Sequence, residues 1–325
     1  MSDDDLSWSR SGQGAACACH ELIMNRLWRA AAGALVVAAL ALTGADQRSA
    51  RGEEPAASAA KPVRQGCQRS GFRVVVDVGH TREVPGAISA RGSPEYAFNL
   101  QLAGAIRQAL VDTGFSKTVL MVTATAPLLG LAERAMRANT MKADLFLSIH
   151  HDSVPEYLLE TWNYGGQENH FSDRFKGFAI FISKDNPDRD GSLQFGRLLG
   201  KALHARGLRY TPHYTLPIMG NRRRELLDPL AGVYSYDQLI VLQQTHMPAV
   251  LLEAGSIVNR QEEVELTTPE RRSAVGAAVA AAVADFCAAR MRHGGTVLVR
   301  RAPSRGAAAQ PAAQPSPANP VSLSR

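Results

Sequence analysis

Aromatic residues are scarce in this chain, at 6%, and no stretch interleaves them with Lys and Arg. Nucleic-acid surfaces combine phosphate contacts with aromatic stacking, so a nucleic-acid partner is not expected. The net charge is only +6 over 325 residues, a mild excess that would draw the protein toward an anionic surface such as a cell envelope. Cysteine is sparse as well. The 4 cysteines are Cys17, Cys19, Cys67 and Cys287, and they lack zinc-knuckle spacing. Any metal site here is therefore built from histidine and carboxylate. Cys67 and Cys287 flank the central region and would tie its ends together in an oxidising compartment; sequence alone leaves a bridge and two free thiols equally open. The apolar run at residues 30–43 is shorter than a membrane span.

That run follows a basic segment from Met24 to Arg29 and leads to small residues near Ala45. The arrangement is that of an export signal over residues 24–45, with an uncleaved anchor as the alternative. Residues 1–23 are polar and carry Asp3, Asp4 and Asp5, so Met24 is read as the start and 1–23 as a gene-model extension. Residues 46–66 read as a linker, 67–293 as one catalytic domain, and 294–325 as a low-complexity tail rich in Ala, Pro and Ser. Export would place the domain in the periplasm or cell envelope, touching the membrane only transiently through the signal segment. The region between the low-complexity ends, roughly 235 residues, is enough for one well-buried core.

Within it, short apolar runs alternate with amphipathic ones. Strands are expected at 73–78, 118–122, 145–149, 178–182, 239–242 and 249–252. Helices are expected from Ser93 (N-cap) and Pro94 to Gly114, over 128–141, over 193–206, and from Pro269 to about residue 292. Residues 207–236 read as a long loop, and 154–176 as an insertion. This predicts an α/β fold: a mainly parallel, twisted sheet of about six strands with helices on both faces.

Four residues lie where such a sheet gathers its chemistry, at strand ends or in the helical turn that follows: His80, Glu95, His150 and Glu253. Singly, each has an ordinary explanation. An acid in a first helical turn, such as Glu95, is favoured by the helix dipole, and histidines commonly end buried strands. Glu253 is the exception, since a carboxylate directly after Ala249 to Leu252 is desolvated unless paired or metal-linked. Two imidazoles and a carboxylate suffice to hold a catalytic Zn²⁺, and a further carboxylate serves as proton acceptor. Asp77 is placed to orient the His80 loop, and His151 to support the site from the opposite side of the strand.

The run Val76-Asp77-Val78-Gly79-His80, followed by Gly86-Ala87-Ile88, Gly92, Glu95 and Asn99-Leu100, resembles the opening of the zinc-dependent N-acetylmuramoyl-L-alanine amidases of the third amidase family. Leu131, Arg134 and Ala138-Asn139 resemble its next block. Residues 143–150, ending in His150, resemble its second histidine motif, and residues 247–255 with Asn259 its terminal glutamate motif. The resemblance implies Zn²⁺ held by His80, Glu95 and His150, with Glu253 as the catalytic carboxylate. It implies peptidoglycan as substrate, cut at the amide between N-acetylmuramic acid and L-alanine. Departures are Thr81-Arg82-Glu83-Val84 in place of glycines and aspartate, Tyr96 in place of lysine, and Ser256 in place of an aromatic.

Some relatives carry a long blocking helix that a partner displaces; residues 183–193 are too short for one, and no partner protein is predicted. The insertion 154–176, with Glu156, Glu160, Glu168 and His170, reads as a surface excursion rather than a cover for the cleft. Arg222, Arg223 and Arg224 could meet the stem peptide's carboxylates, although a run of this kind is more often merely solvated. The alternatives are another exported zinc amidohydrolase or peptidase acting on wall peptides, and a non-catalytic wall-binding module, for which Glu253 has no use.

Overall fold

The computed structural model describes residues 67–124 and 127–294. The expectations about the export signal, the linker and the tail beyond residue 294 lie outside the described residues. The elements run in order β1 (Val74–Val78), α1 (Glu95–Asp112), β2 (Val119–Met121), α2 (Pro127–Thr140), β3 (Leu145–Asp152), β4 (Glu160–Tyr164), β5 (Gln167–Phe171), β6 (Ala179–Ile182), α3 (Arg189–His204), β7 (Leu226–Asp228), β8 (Val233–Ser235), α4 (Ile240–Gln243), β9 (Ala249–Ser256), α5 (Arg260–Leu266) and α6 (Pro269–Gly294).

Seven strands form the central sheet in the order β2-β1-β3-β9-β6-β8-β7. Pairing is parallel except for β6 with β9 and β7 with β8. Alternation along each strand sorts side chains between two cores. Val74, Val76 and Val78 join Leu102, Ile106 and Phe286 under α1, α3 and α6. Val75 and Phe146 join Ala138 and Val241 under α2 and α4. Helices therefore cover both faces, as buried parallel strands require.

Three expectations about elements need correction. The loop expected at 207–236 contains two strands of the central sheet, β7 and β8, runs of three residues too short to carry a periodic signal. The strand expected at 239–242 is instead the short helix α4; periodicity cannot separate strand from helix in an apolar run of four. The N-cap of α1 is Pro94, not Ser93. Two free N–H groups at the start of α1 go to the preceding loop: Glu95 donates to the Ala87 carbonyl at 2.8 Å and Tyr96 to the Pro85 carbonyl at 2.9 Å. These bonds clamp the loop after β1 against the start of α1.

The insertion at 154–176 contains the hairpin β4–β5, on which Glu160, Glu168 and His170 are exposed, as is Glu156 just before it. Its Trp162 Nε1 donates to the Ala90 carbonyl at 2.8 Å, so the hairpin braces the β1–α1 loop from outside. Cys67, ahead of β1, is bonded to Cys287 in α6, closing a separation of 220 residues with Cα atoms 5.4 Å apart. Replacing both cysteines by serine is expected to cost about 2–5 kcal/mol of stability. Thermal unfolding of the oxidised wild type and the double variant measures it; equal midpoints would show that the bridge contributes nothing.

Candidate metal centre and cleft

The sheet register assembles the site. Asp77 pairs with Ser148 across β1 and β3, and His150 pairs with Glu253 across β3 and β9. One residue beyond β1, the Gly79 N–H still donates to the Ile149 carbonyl at 3.0 Å, which carries His80 to the same edge as His150. The clamped loop then brings the first residue of α1 against both histidines. Glu95 Oε2 lies 3.0 Å from His80 Nε2, and Glu95 Oε1 lies 3.0 Å from His150 Nδ1. One ligand atom from each of the three residues falls within 4.8 Å of the others.

This donor set, two ring nitrogens and one carboxylate, is that of a catalytic zinc site. The backbone around it has been cleared to match. A Cβ on Gly79 would stand 2.3 Å from His150 Nε2; one on Gly86 would stand 2.5 Å from Glu95 Oε2 and 2.7 Å from His80 Nε2. Gly86 also has φ +81, a conformation that side-chain-bearing residues avoid. The residues present fit a metal ion. Gly86→Ala is expected to weaken metal binding at least about tenfold, on the scale of losses when a ligand is displaced or disoriented. Gly104 in α1, where a Cβ meets nothing within 4 Å, is the control, and Gly104→Ala should stabilise the helix slightly. Titration of the metal-stripped proteins with Zn²⁺ distinguishes them; equal affinity in Gly86→Ala and wild type would refute the packing argument.

Glu95 is held from behind. Asn99, one turn along α1, donates from Nδ2 to Glu95 Oε1 at 3.1 Å and to the Gly79 carbonyl at 3.2 Å, while its Oδ1 meets His151 Nδ1 at 2.8 Å. The backbone N–H of Ala87 donates to Glu95 Oε2 at 3.2 Å. Burial works against the Glu95 carboxylate, but the bonds to His150 and His80 outweigh it and hold the group well below the usual carboxylate range. His151 is buried, and burial pushes its imidazole down to about 3. It stays neutral, its Nδ1 meets Asn99, and it is not one of the three converging residues.

Asp77 acts through a residue to which the sequence assigned no role. Arg134, buried on α2, donates from Nη1 to Asp77 Oδ1 at 2.7 Å and to the Val78 carbonyl, and from Nη2 to the His80 carbonyl. Ser148 Oγ donates to Asp77 Oδ2 at 2.7 Å. His80 has φ 66, in the left-handed region, where its carbonyl is aimed inward at the guanidinium. The Asp77–Arg134 pair thus holds the strand end in the turn that presents the His80 ring. Burial lifts the Asp77 carboxyl above its ordinary value, with Arg134 and Ser148 opposing it.

Glu253 lies outside the three-residue cluster but shares its cleft, a space of about 430 Å³. Its Oε2 is shielded from solvent and has no hydrogen-bond partner among the described residues. Burial, then the neighbouring carboxylates of Asp152 and Glu95, push its pKa well above the ordinary range, the direction a proton acceptor needs. Asp152, two residues beyond His150, accepts from Tyr214 Oη at 2.6 Å and from Arg222 Nη2 at 3.4 Å. Burial pushes Asp152 up to about 6. Arg222 and Arg224 both line the cleft and are half-buried, so of this run only Arg223 fits the reading of a simply solvated side chain. No periodicity or motif marked Tyr214, and nothing local to the arginine run told which of its members reach the cleft, because both depend on how the loop before β7 packs. Of the insertion expected at 154–176, neither the β4–β5 hairpin nor any other described residue lines this cleft.

Comparison with known proteins agrees with this architecture. The family profile described as N-acetylmuramoyl-L-alanine amidase, Amidase_3, matches residues 74–285. The N-acetylmuramoyl-L-alanine amidase AmiA of Escherichia coli K12 is 26% identical over 264 residues, covering 77% of this chain and 88% of AmiA. The amidase AmiC of Escherichia coli O6:H1 is 25% identical over 276 residues, covering 76% of this chain and 59% of AmiC. The crystal structure of the amidase Ami1 from Mycobacterium smegmatis shares the fold, with a TM-score of 0.52 at 19% identity over 69% of this chain and 100% of Ami1.

Proposed function

Since the chain belongs to the Amidase_3 family of N-acetylmuramoyl-L-alanine amidases, which hydrolyse the amide joining N-acetylmuramic acid to L-alanine in peptidoglycan, we propose that it does so as an exported, zinc-dependent enzyme. His80, Glu95 and His150 would hold the ion. Bound there, Zn²⁺ supplies a Lewis acid for the scissile carbonyl and lowers the pKa of water to about 7. Glu253 Oε2 takes the proton of the attacking water and returns it to the nitrogen of the departing L-alanine, so that one carboxyl serves as base and then as acid. Asn99 fixes the carboxylate of Glu95, and Arg134 with Asp77 fixes the turn that carries His80. The observation that carries this reading is the convergence of three ligand atoms within 4.8 Å beside a carboxylate whose Oε2 the fold leaves without a partner.

The signal-like segment at residues 24–45 and the Cys67–Cys287 bridge both support export, because such bridges persist in oxidising compartments. Digestion of purified muropeptides, with products identified by mass, tests the reaction. Intact stem peptide with a free alanine amine is expected, abolished by chelation and restored by Zn²⁺. Release of single D-amino acids instead would make the protein a peptidase, and full activity in the chelated protein would remove the metal from the mechanism.

A further inference from the structure

The cleft contains two guanidinium groups, and the fold neutralises only one. Arg222 reaches the buried Asp152 carboxylate at 3.4 Å. Arg224, two residues on, makes no ion pair among the described residues. Its Nη1 donates to the backbone carbonyls of Asn221 at 2.8 Å and Arg223 at 2.9 Å. Its Nε is buried without a partner among the described residues. The guanidinium carbon lies 4.0 Å from the centroid of the Tyr236 ring, and both side chains face the cleft that contains Glu253.

This is how a recognition arginine is prepared. Contact with an aromatic ring fixes the guanidinium and leaves hydrogen-bonding capacity for an acceptor in its own plane. A half-buried cation whose donors are only partly used by backbone carbonyls is left with an unfilled demand for an anion. The anions already in the cleft do not meet it: Glu95 is bound to the two histidines, Asp152 to Tyr214 and Arg222, and Glu253 lies unpartnered at its Oε2. The glycan side of the scissile amide offers hydroxyls and an acetamide. The peptide side offers carboxylates.

We propose that Arg224, held on Tyr236, is a specificity-determining residue that receives the stem-peptide carboxylate nearest the scissile bond, so that the enzyme selects stems in which that carboxyl is free over stems in which it is amidated. The inference rests on the amidase reading and specifies its substrate class. Amidation keeps size and shape but removes the charge that makes an Arg–carboxylate contact strong. A charge-assisted bond of this kind distinguishes the two by about tenfold or more.

The test uses the zinc-loaded protein and two muropeptides that differ only in whether that carboxyl is free or amidated. The readout is the ratio of their kcat/KM values, which does not depend on what fraction of a preparation is folded. Wild type is expected to favour the free acid about tenfold or more. In Arg224→Met the ratio should collapse toward one, chiefly through KM on the acid substrate. In Arg224→Lys, which keeps the charge and loses the fork, it should be intermediate. Equal kcat/KM on the two substrates in wild type, or an unchanged ratio in Arg224→Met, overturns the assignment while leaving the amidase reading intact. No hydrolysis of either substrate by wild type overturns the amidase reading, and this inference with it.

Discussion

Glu253→Gln should retain zinc and lose about 10²–10⁴-fold in turnover, the contribution of a positioned general acid–base group. The substitution keeps volume and shape, so the pairing of β9 with His150 on β3 and with Ala179 on β6 is undisturbed. None of the three converging atoms belongs to Glu253, so metal content measured on the purified variant should match wild type. What disappears is the carboxylate oxygen proposed to accept a proton from water and hand it on. The variant should also melt no lower than wild type, because it removes a carboxylate that burial and the neighbouring Asp152 and Glu95 disfavour; buried charges of this kind cost stability. Activity lost with metal and melting temperature retained would identify a chemical role. Near-normal turnover would remove Glu253 from the mechanism, and loss of zinc would make it a ligand.

Arg134→Met is expected to cost about 3–5 kcal/mol of stability, because it leaves Asp77 buried and uncompensated. In a domain of this size that lowers the melting temperature by roughly 10 °C. The pair is deeply enclosed, with side-chain exposures of 4% for Arg134 and 1% for Asp77, so solvent cannot replace the lost charge. The Arg134→Met, Asp77→Asn double variant should recover part of the loss, since removing both partners leaves no buried charge. Zinc affinity should not recover with it. Both variants lack the guanidinium that binds the Val78 and His80 carbonyls, and His80 loses the restraint on its left-handed backbone. Wild-type zinc affinity in the double variant would show that the pair is a packing element only.

Much of the fold was legible because its strands are nearly pure apolar runs. The runs at 73–78, 145–149 and 249–252 became β1, β3 and β9, the three adjacent strands that carry Asp77, His150 and Glu253. The helix expected between Pro94 and Gly114 became α1, with Phe98, Leu102, Ile106 and Leu110 on its buried face. The failures are confined to segments where local pattern is weak. β7 and β8 are three residues each, and α4 is a single turn of four; tertiary contacts decide such pieces. Pro94 displaced Ser93 as N-cap because the first N–H groups of α1 are claimed by the Pro85 and Ala87 carbonyls, a bond pattern set by the loop and invisible in composition.

The same division runs through the site. Residue type and position alone determined that His80, Glu95, His150 and Glu253 would gather on one edge of a parallel sheet, because strand ends in such a fold are neighbours by topology. Sequence also determined that any metal would meet nitrogen and oxygen, since no cysteine lies near those positions. Only the tertiary structure decided that Arg134 restrains the His80 turn, that Asn99 links Glu95 to His151, and that Arg224 faces the cleft from residues far away in the chain. Those assignments depend on where a side chain of several rotatable bonds ends up once the core has packed. No local periodicity carries that information, because the contacts join elements with no fixed spacing between them.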